Sequence, residues 1–190
     1  QEIDQVKTLR MELGMDVRQN RFAQAKETFE TRLQAISTPE GIKARAAGIA
    51  RYEMLIKLKR YLVERLGKEG TASPDGYRYG WLIGGIGARD ITGATFDAVE
   101  VRNVGSVEWE KVPVLQILRF FTHYLKEQPP EDAQTRGEMR LAAAVYCYEA
   151  SNGGENKDAL RMAAAYNEEA LNDDVRLSDK IKELMPDLAR

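Results

Sequence analysis

Few side chains in this 190-residue sequence are of types that do chemistry, so their spacing is read first. There is one histidine, His123, and one cysteine, Cys147. A nucleophile needs a base beside it, so any Ser-His or Cys-His pair reduces to a single candidate histidine. His123 stands among Phe120, Phe121, Tyr124 and Leu125, which reads as a packed structural histidine. Cys147 lies in the apolar run Leu141 to Tyr148, where cysteine behaves as a small core residue. One thiol makes no internal disulfide and says nothing of compartment. With a single histidine there is no His-based metal pair, and the sequence predicts no metal site and no cofactor.

Three other patterns were weighed for chemistry. Gly84-Gly85-Ile86-Gly87 has the glycines of a phosphate cradle. Such a loop closes with Gly-Lys-Ser/Thr opening a helix, whereas Ile91-Thr92-Gly93 reads as extended, so the glycines serve turns and bulges. Asp97, Glu100, Glu108 and Glu110 offer carboxylate pairs of the glycosidase kind. Strand alternation places Glu100 and Glu108 on one outer face as cross-strand neighbours, solvated rather than catalytic. Asn152 to Asp158 lacks the alternating ligands and final glutamate of a calcium loop. No catalytic residue is predicted. What remains is an aromatic set, Tyr77, Tyr79, Trp81, Phe96, Trp109, Phe120 and Tyr124, which either lines a binding surface or forms the core between sheet and helices.

These aromatics cluster around one unusual stretch. Residues 76–113 hold seven of the fifteen glycines and are the only part that does not read as helix. The expected strands are Tyr79 to Ile83, Arg89 to Phe96, Val99 to Val101 and Ser106 to Trp109, with turns at Asp97-Ala98 and Asn103 to Gly105. Val99, Val101, Val107 and Trp109 alternate with Glu100 and Glu108, the pattern of a strand pair with one wet face. Strands this short need the helices to cover their apolar face, and Trp81 and Trp109 are the expected anchors.

Helical periodicity occupies the rest. Ile3, Val6, Leu9, Leu13 and Val17 share a face, with Gly14 interrupting but not ending the run. Gln19-Asn20 reads as a turn. Phe22, Ala25, Phe29, Leu33 and Ile36 form a second stripe. Thr38 is a suitable N-cap with Pro39 at the first helical position, opening a helix that reaches Leu66, with Ile42, Ala46, Ile49, Leu55, Leu58, Leu62 and Leu66 as its stripe and Gly67 as its C-cap. Lys68 to Asp75 reads as a loop. After Pro113, Val112, Leu115, Leu118, Phe121 and Leu125 predict a helix widened by Ile117, Phe120 and Tyr124, ended at Gln128 to Pro130. Two alanine-rich helices follow, Arg136 to Ser151 and Lys157 to Leu171, joined by a tight turn at Asn152-Gly153-Gly154. A short helix carrying Leu177, Ile181 and Leu184 closes at Met185-Pro186.

Charged residues are 31% of the chain and balance to a net −2, so nonspecific nucleic-acid binding, which needs a basic excess, is not expected. The local cluster Lys57, Lys59, Arg60 and Arg65 is interleaved by Glu53 and Glu64, as on a solvated helix face. No apolar run approaches the roughly 20 residues of a membrane span. A chain beginning at Gln1 reads as a processed extracytoplasmic chain, of the bacterial periplasmic kind, or as a trimmed one.

The helix pairs resemble tetratricopeptide-type repeats. Leu13-Gly14 stands where that family has its Leu-Gly, and Ala25 with Phe29 matches its Ala-x3-Phe. Val17 replaces the tyrosine, Arg10 the tryptophan, and Gly14 to Ala25 is one residue short. In the later pair Asp158-Ala159 follows a polar turn as Arg21 to Ala25 does, with Ala163 in place of the aromatic. The resemblance covers about 80 residues and implies a scaffold that binds partners on a concave face. The β-rich stretch lies outside it. The turn from Val107 through Trp109 to Val112-Pro113 is also similar to one in helical bacterial proteins that carry a short meander.

The expected fold is mainly α: antiparallel helical hairpins, tetratricopeptide-like, forming a single domain over 1–190 with a small antiparallel β-meander as a β-rich insertion over 76–112. The expected function is a non-enzymatic protein–protein interaction or scaffold module, with a protein partner or self-association through a groove or the meander edge. The alternative is a small-ligand-binding protein or enzyme with its site between the β-insert and helix 113–126.

Overall fold

The computed structural model describes residues 1–72, 77–81, 89–151 and 156–188. The apolar positions at the start of the chain form two helices nearly in line, α1 (Glu2–Glu12) and α2 (Gly14–Arg18). They meet at Leu13, whose backbone stays helical at φ −78°, so Gly14 inflects the run without turning it. Val6, Leu9, Leu13 and Val17 are buried, while Ile3 lies at the open end of the stripe. The chain reverses at Asn20, with φ 58°, a left-handed conformation that asparagine tolerates. α3 (Phe22–Arg32) then buries Phe22, Ala25 and Phe29, and Leu33 and Ile36 follow.

Thr38 caps α4 (Pro39–Ala72): its hydroxyl oxygen accepts from the Gly41 N–H at 3.2 Å. The helix passes Gly67, the expected C-cap, and continues to Ala72. A side chain at Gly67 would face the Ala94 carbonyl of the meander, and β2 lies along α4, so tertiary packing carries the last turns past the stop signal. At 34 residues the helix is about 50 Å long. Its buried stripe is Ala47, Gly48, Tyr52, Leu55, Leu58, Leu62 and Leu66; Ile42 and Ala46, expected on it, face solvent. The rotation follows from Gly48, where an added methyl would stand against the Phe29 ring. The glycine marks closest approach to α3 rather than a weak point. Of the loop expected at Lys68 to Asp75, Lys68 to Ala72 is helix, and the remainder lies outside the described residues.

The meander is a four-stranded antiparallel sheet in sequence order, β1 (Tyr77–Trp81), β2 (Arg89–Ala94), β3 (Ala98–Val101) and β4 (Gly105–Glu108). The glycines at 84, 85 and 87 lie outside the described residues. Val99 pairs with Val107 and Ile91 with Val101; Ile91, Val99 and Val101 are buried and Val107 partly so. Glu100 pairs with Ser106 and Glu108 with Ala98, so the two glutamates are not cross-strand partners. The Ser106 hydroxyl instead donates to Glu100 Oε1 at 2.6 Å. The β3–β4 turn holds Asn103 at φ 61° and Gly105 at φ 94°. Trp109 leaves the last strand for a 3₁₀ turn, Trp109–Lys111, yet is almost wholly buried. Its indole N–H donates to the Thr95 carbonyl at 2.8 Å, and its ring meets Phe120 edge-on at 6.4 Å. That contact anchors the sheet on the helices. Trp81, the other expected anchor, has its side chain outside the described part.

α5 (Val114–Phe121) passes into a π turn, Thr122–Glu127. Its buried face is Ile117, Phe120, Phe121, Tyr124 and Leu125; Leu115, expected on the stripe, is exposed. Arg140 holds the end of the π turn, donating from Nε and Nη2 to the Leu125 carbonyl at 3.2 and 2.9 Å.

α6 (Ala133–Ala150), capped by Asp132, is the centre of the molecule: every residue from Leu141 to Ala150 is buried. It pairs with α7 (Lys157–Asp173) and also packs on α4, α2 and the π turn. Small residues permit this: at Gly137 a methyl would meet Leu177 at 3.2 Å and the Ala170 carbonyl at 3.3 Å. The turn expected at Asn152 to Gly154 lies outside the described residues. α8 (Ser178–Leu184) closes the fold, burying Ile181 and Leu184. Phe121 sits between Tyr146 at 5.3 Å and Tyr166 at 6.1 Å, both edge-on. Among the described residues no helix is long and apolar enough to cross a membrane.

Candidate functional site

The two titratable groups that first invite a catalytic reading are both part of the packing. Cys147 is buried, and burial pushes its thiol up to about 12, far from the thiolate a nucleophile requires. His123 Nδ1 lies 3.0 Å from Glu127 Oε2, and its ring packs against Tyr124 at 4.7 Å. Among the described residues no three His, Cys, Asp or Glu side chains converge as a metal site.

The aromatic set separates into three groups. Phe120 and Tyr124 are fully buried and belong to the core. Tyr77, Tyr79 and Trp81 lie on β1 with side chains outside the described part. Phe96 and Trp109 come together on one wall of a cleft of about 620 Å³ between the meander and the helices. Phe96, in the β2–β3 turn, is 48% exposed, whereas Trp109 is 2% exposed. The opposite wall is built from Asn20, the start of α3 and, on α4, Ile56 and Lys59. The cleft opens between the meander and the α3–α4 pair; on the α5 side Trp109 meets Phe120 edge-on.

Three features of the helical wall set its chemistry. First, α3 begins uncapped: its N-cap is Arg21, which makes no side-chain capping bond, and its first turn carries no acid. The N–H groups of Phe22, Ala23 and Gln24 have no acceptor within the helix, and together they form a partial positive charge. Second, the Lys59 ammonium sits 5.4 Å from the Trp109 ring centroid, with no carboxylate in ion-pair range among the described residues. Burial holds its pKa below the ordinary lysine value, opposed by Asp97 and Glu110 nearby. Third, Asn20 is 2% exposed. Its Nδ2 donates to the carbonyls of Trp109 and Val112 at 2.9 and 3.3 Å, which fixes the amide orientation. Oδ1 is left without a donor among the described residues.

The meander wall is acidic: Asp97, Glu108 and Glu110 all line it. Glu108 pairs with Lys111 at 2.9 Å, and Glu110 loosely with Arg21 at 3.9 Å. Arg21 is mainly engaged by Asp16. The Asp97 carboxylate has no partner among the described residues. The cleft is therefore polarised, positive along α3 and α4 and negative along the sheet.

No protein family, no curated protein and no solved structure matches this chain. The site must be read from its own atoms.

A second groove, of about 540 Å³, lies among α1, α4 and α8. Beneath it Glu149, 3% exposed, is held by two arginines. Arg10 Nε donates to Oε2 at 3.0 Å, and Arg51 Nε lies 2.6 Å from Oε1, close as a charge contact though not aligned as a hydrogen bond. Arg51 also donates to the Leu184 carbonyl at 2.9 Å. Arg10 donates to the Tyr148 hydroxyl at 3.0 Å, which donates to Asp187 at 3.1 Å. The cluster ties four helices together, with Glu149 Oε1 held by charge rather than by a hydrogen bond. The sequence reading gave no hint of it, nor of Asn20 and Lys59, because the partners are remote in sequence and sit in unremarkable helical context.

Proposed function

We propose that this chain is a non-enzymatic binding module whose cleft between the meander and the α3–α4 pair docks a segment of a partner protein. The observation that carries the reading is the coincidence, in one cleft, of a half-exposed phenylalanine, Phe96, with a basic wall and an acidic one. Aromatic shelves supply contact area at low entropic cost. An extended peptide offers an apolar side chain every second residue, with charged ones between. The opening at the meander edge agrees with such a segment.

The test is affinity selection of soluble hexapeptides, with a mixture of free and amidated C-termini, on the full chain, followed by rebinding to Phe96→Ala. Selected peptides are expected to lose about tenfold in affinity on the variant, an effect of the size a peripheral aromatic contact carries. A library from which nothing is retained, or peptides that bind Phe96→Ala as tightly as wild type, would count against the cleft.

A further inference from the structure

We infer that the segment this cleft receives is a chain terminus: a free C-terminal carboxylate seated on the α3 N-terminus and Lys59, with basic side chains upstream meeting the acidic meander wall. The inference rests on the docking reading above and specifies its partner.

The first turn of α3, a helix of 11 residues, lines the cleft with Phe22, Ala23 and Gln24, and Arg21 at its N-cap makes no capping bond; such an end favours an anion. By itself that is a feature of many helices. Here Lys59 lines the same cleft and has no carboxylate of its own in ion-pair range among the described residues. A single small anion would satisfy these two features but leave the acidic wall opposite them unanswered. A peptide C-terminus carries a carboxylate with further side chains at fixed spacing behind it. The last side chain then falls toward Ile56, Phe96 and Trp109.

The rest of the occupant follows from the other wall. The carboxylates that line the cleft are Asp97, Glu108 and Glu110, all on the meander side. They oppose an anionic ligand of diffuse charge, such as a polyphosphate or an acidic peptide. A terminus with lysine or arginine behind it places each charge against its opposite. The chemistry shared with a free amino acid is the zwitterion, and the two sources separate by length.

The experiment uses the full chain and N-terminally labelled pentapeptides with lysine at the second and third positions and leucine last, read by fluorescence anisotropy. The free acid is expected to bind at least about tenfold more tightly than its C-terminal amide, and to weaken as NaCl rises from about 0.05 to 0.5 M. Lys59→Met, checked for folding by thermal melting, should abolish the preference for the acid. Asp97→Ala should weaken binding of the lysine peptide but not of its alanine counterpart. Equal binding of acid and amide overturns the terminal inference while leaving the docking reading intact if both weaken on Phe96→Ala. Retention of the acid preference in Lys59→Met, or free leucine competing as well as the pentapeptide, also overturns it. If hexapeptide selection yields binders but neither pentapeptide binds, terminal recognition falls alone; if nothing binds in either assay, the docking reading falls with it.

Discussion

Lys59 carries the clearest pH signature of the account. Burial disfavours its charged form, so its folded pKa lies below the ordinary lysine value. For a base shifted down, the unfolded chain binds more protons in the window between the two values, so this group costs stability when protonated and the cost is relieved as pH rises through that window. A bound carboxylate acts the other way and favours the ammonium. Peptide affinity is therefore expected to hold near neutrality and to fall as pH climbs toward that of free lysine, earlier than an unperturbed lysine would titrate. A titration of affinity from pH 7 to about 10 checks this, and a flat profile would remove Lys59 from the site. Glu149 is the opposite kind of residue, a charge whose partners are all internal. Removing the carboxylate shared by the buried Arg51 and the partly buried Arg10 leaves both without a counter-ion, so Glu149→Ala is expected to lose about 3–5 kcal/mol in urea unfolding. Replacing Arg10, Arg51 and Glu149 together with apolar residues should recover much of that loss.

Elements were legible where one periodicity governed them. The stripe from Val6 to Val17, the stripe from Phe22 to Ile36 and the strand pair Val99 to Val107 all bury as their spacing implies. Helix faces became ambiguous where small residues mattered more than large ones. In α4 the large Ile42 turns outward because Gly48 must face Phe29, and glycine carries no hydropathy signal for its own burial. The same reasoning predicts that Gly48→Ala, which gains roughly 1 kcal/mol in helix propensity, is net destabilising by about 1–3 kcal/mol from overpacking; a melting curve at or above wild type would contradict the close approach. Gly67 misled in the other sense, since a C-cap signal fails when a strand packs along the helix beyond it. In α5 Leu115 reads as apolar stripe but faces out, the buried width being taken by Ile117, Phe120 and Tyr124. Trp109 was identifiable as an anchor from strand alternation, although its own backbone is a 3₁₀ turn.

At the scale of the molecule, a helix buried along its whole C-terminal half, α6, organises the chain, and the meander closes one side of it through Trp109 and Phe120. The aromatic half of the candidate site, Phe96 and Trp109, could be chosen from sequence because aromatic residues are few. The polar half could not: Asn20 and Lys59 acquire meaning only when a turn before α3, the middle of α4 and the exit of a sheet meet. That meeting places one acidic and one basic wall beside the half-exposed Phe96, and partner docking there is the central functional claim. The direct measurement is amide chemical-shift mapping of the isotope-labelled full chain during titration with a selected peptide. The account predicts saturable shifts centred on Asn20 to Gln24, Lys59 and Phe96-Asp97, with α1 and α8 unmoved. Shifts confined to the groove of α1, α4 and α8, or spread without a centre, would contradict it.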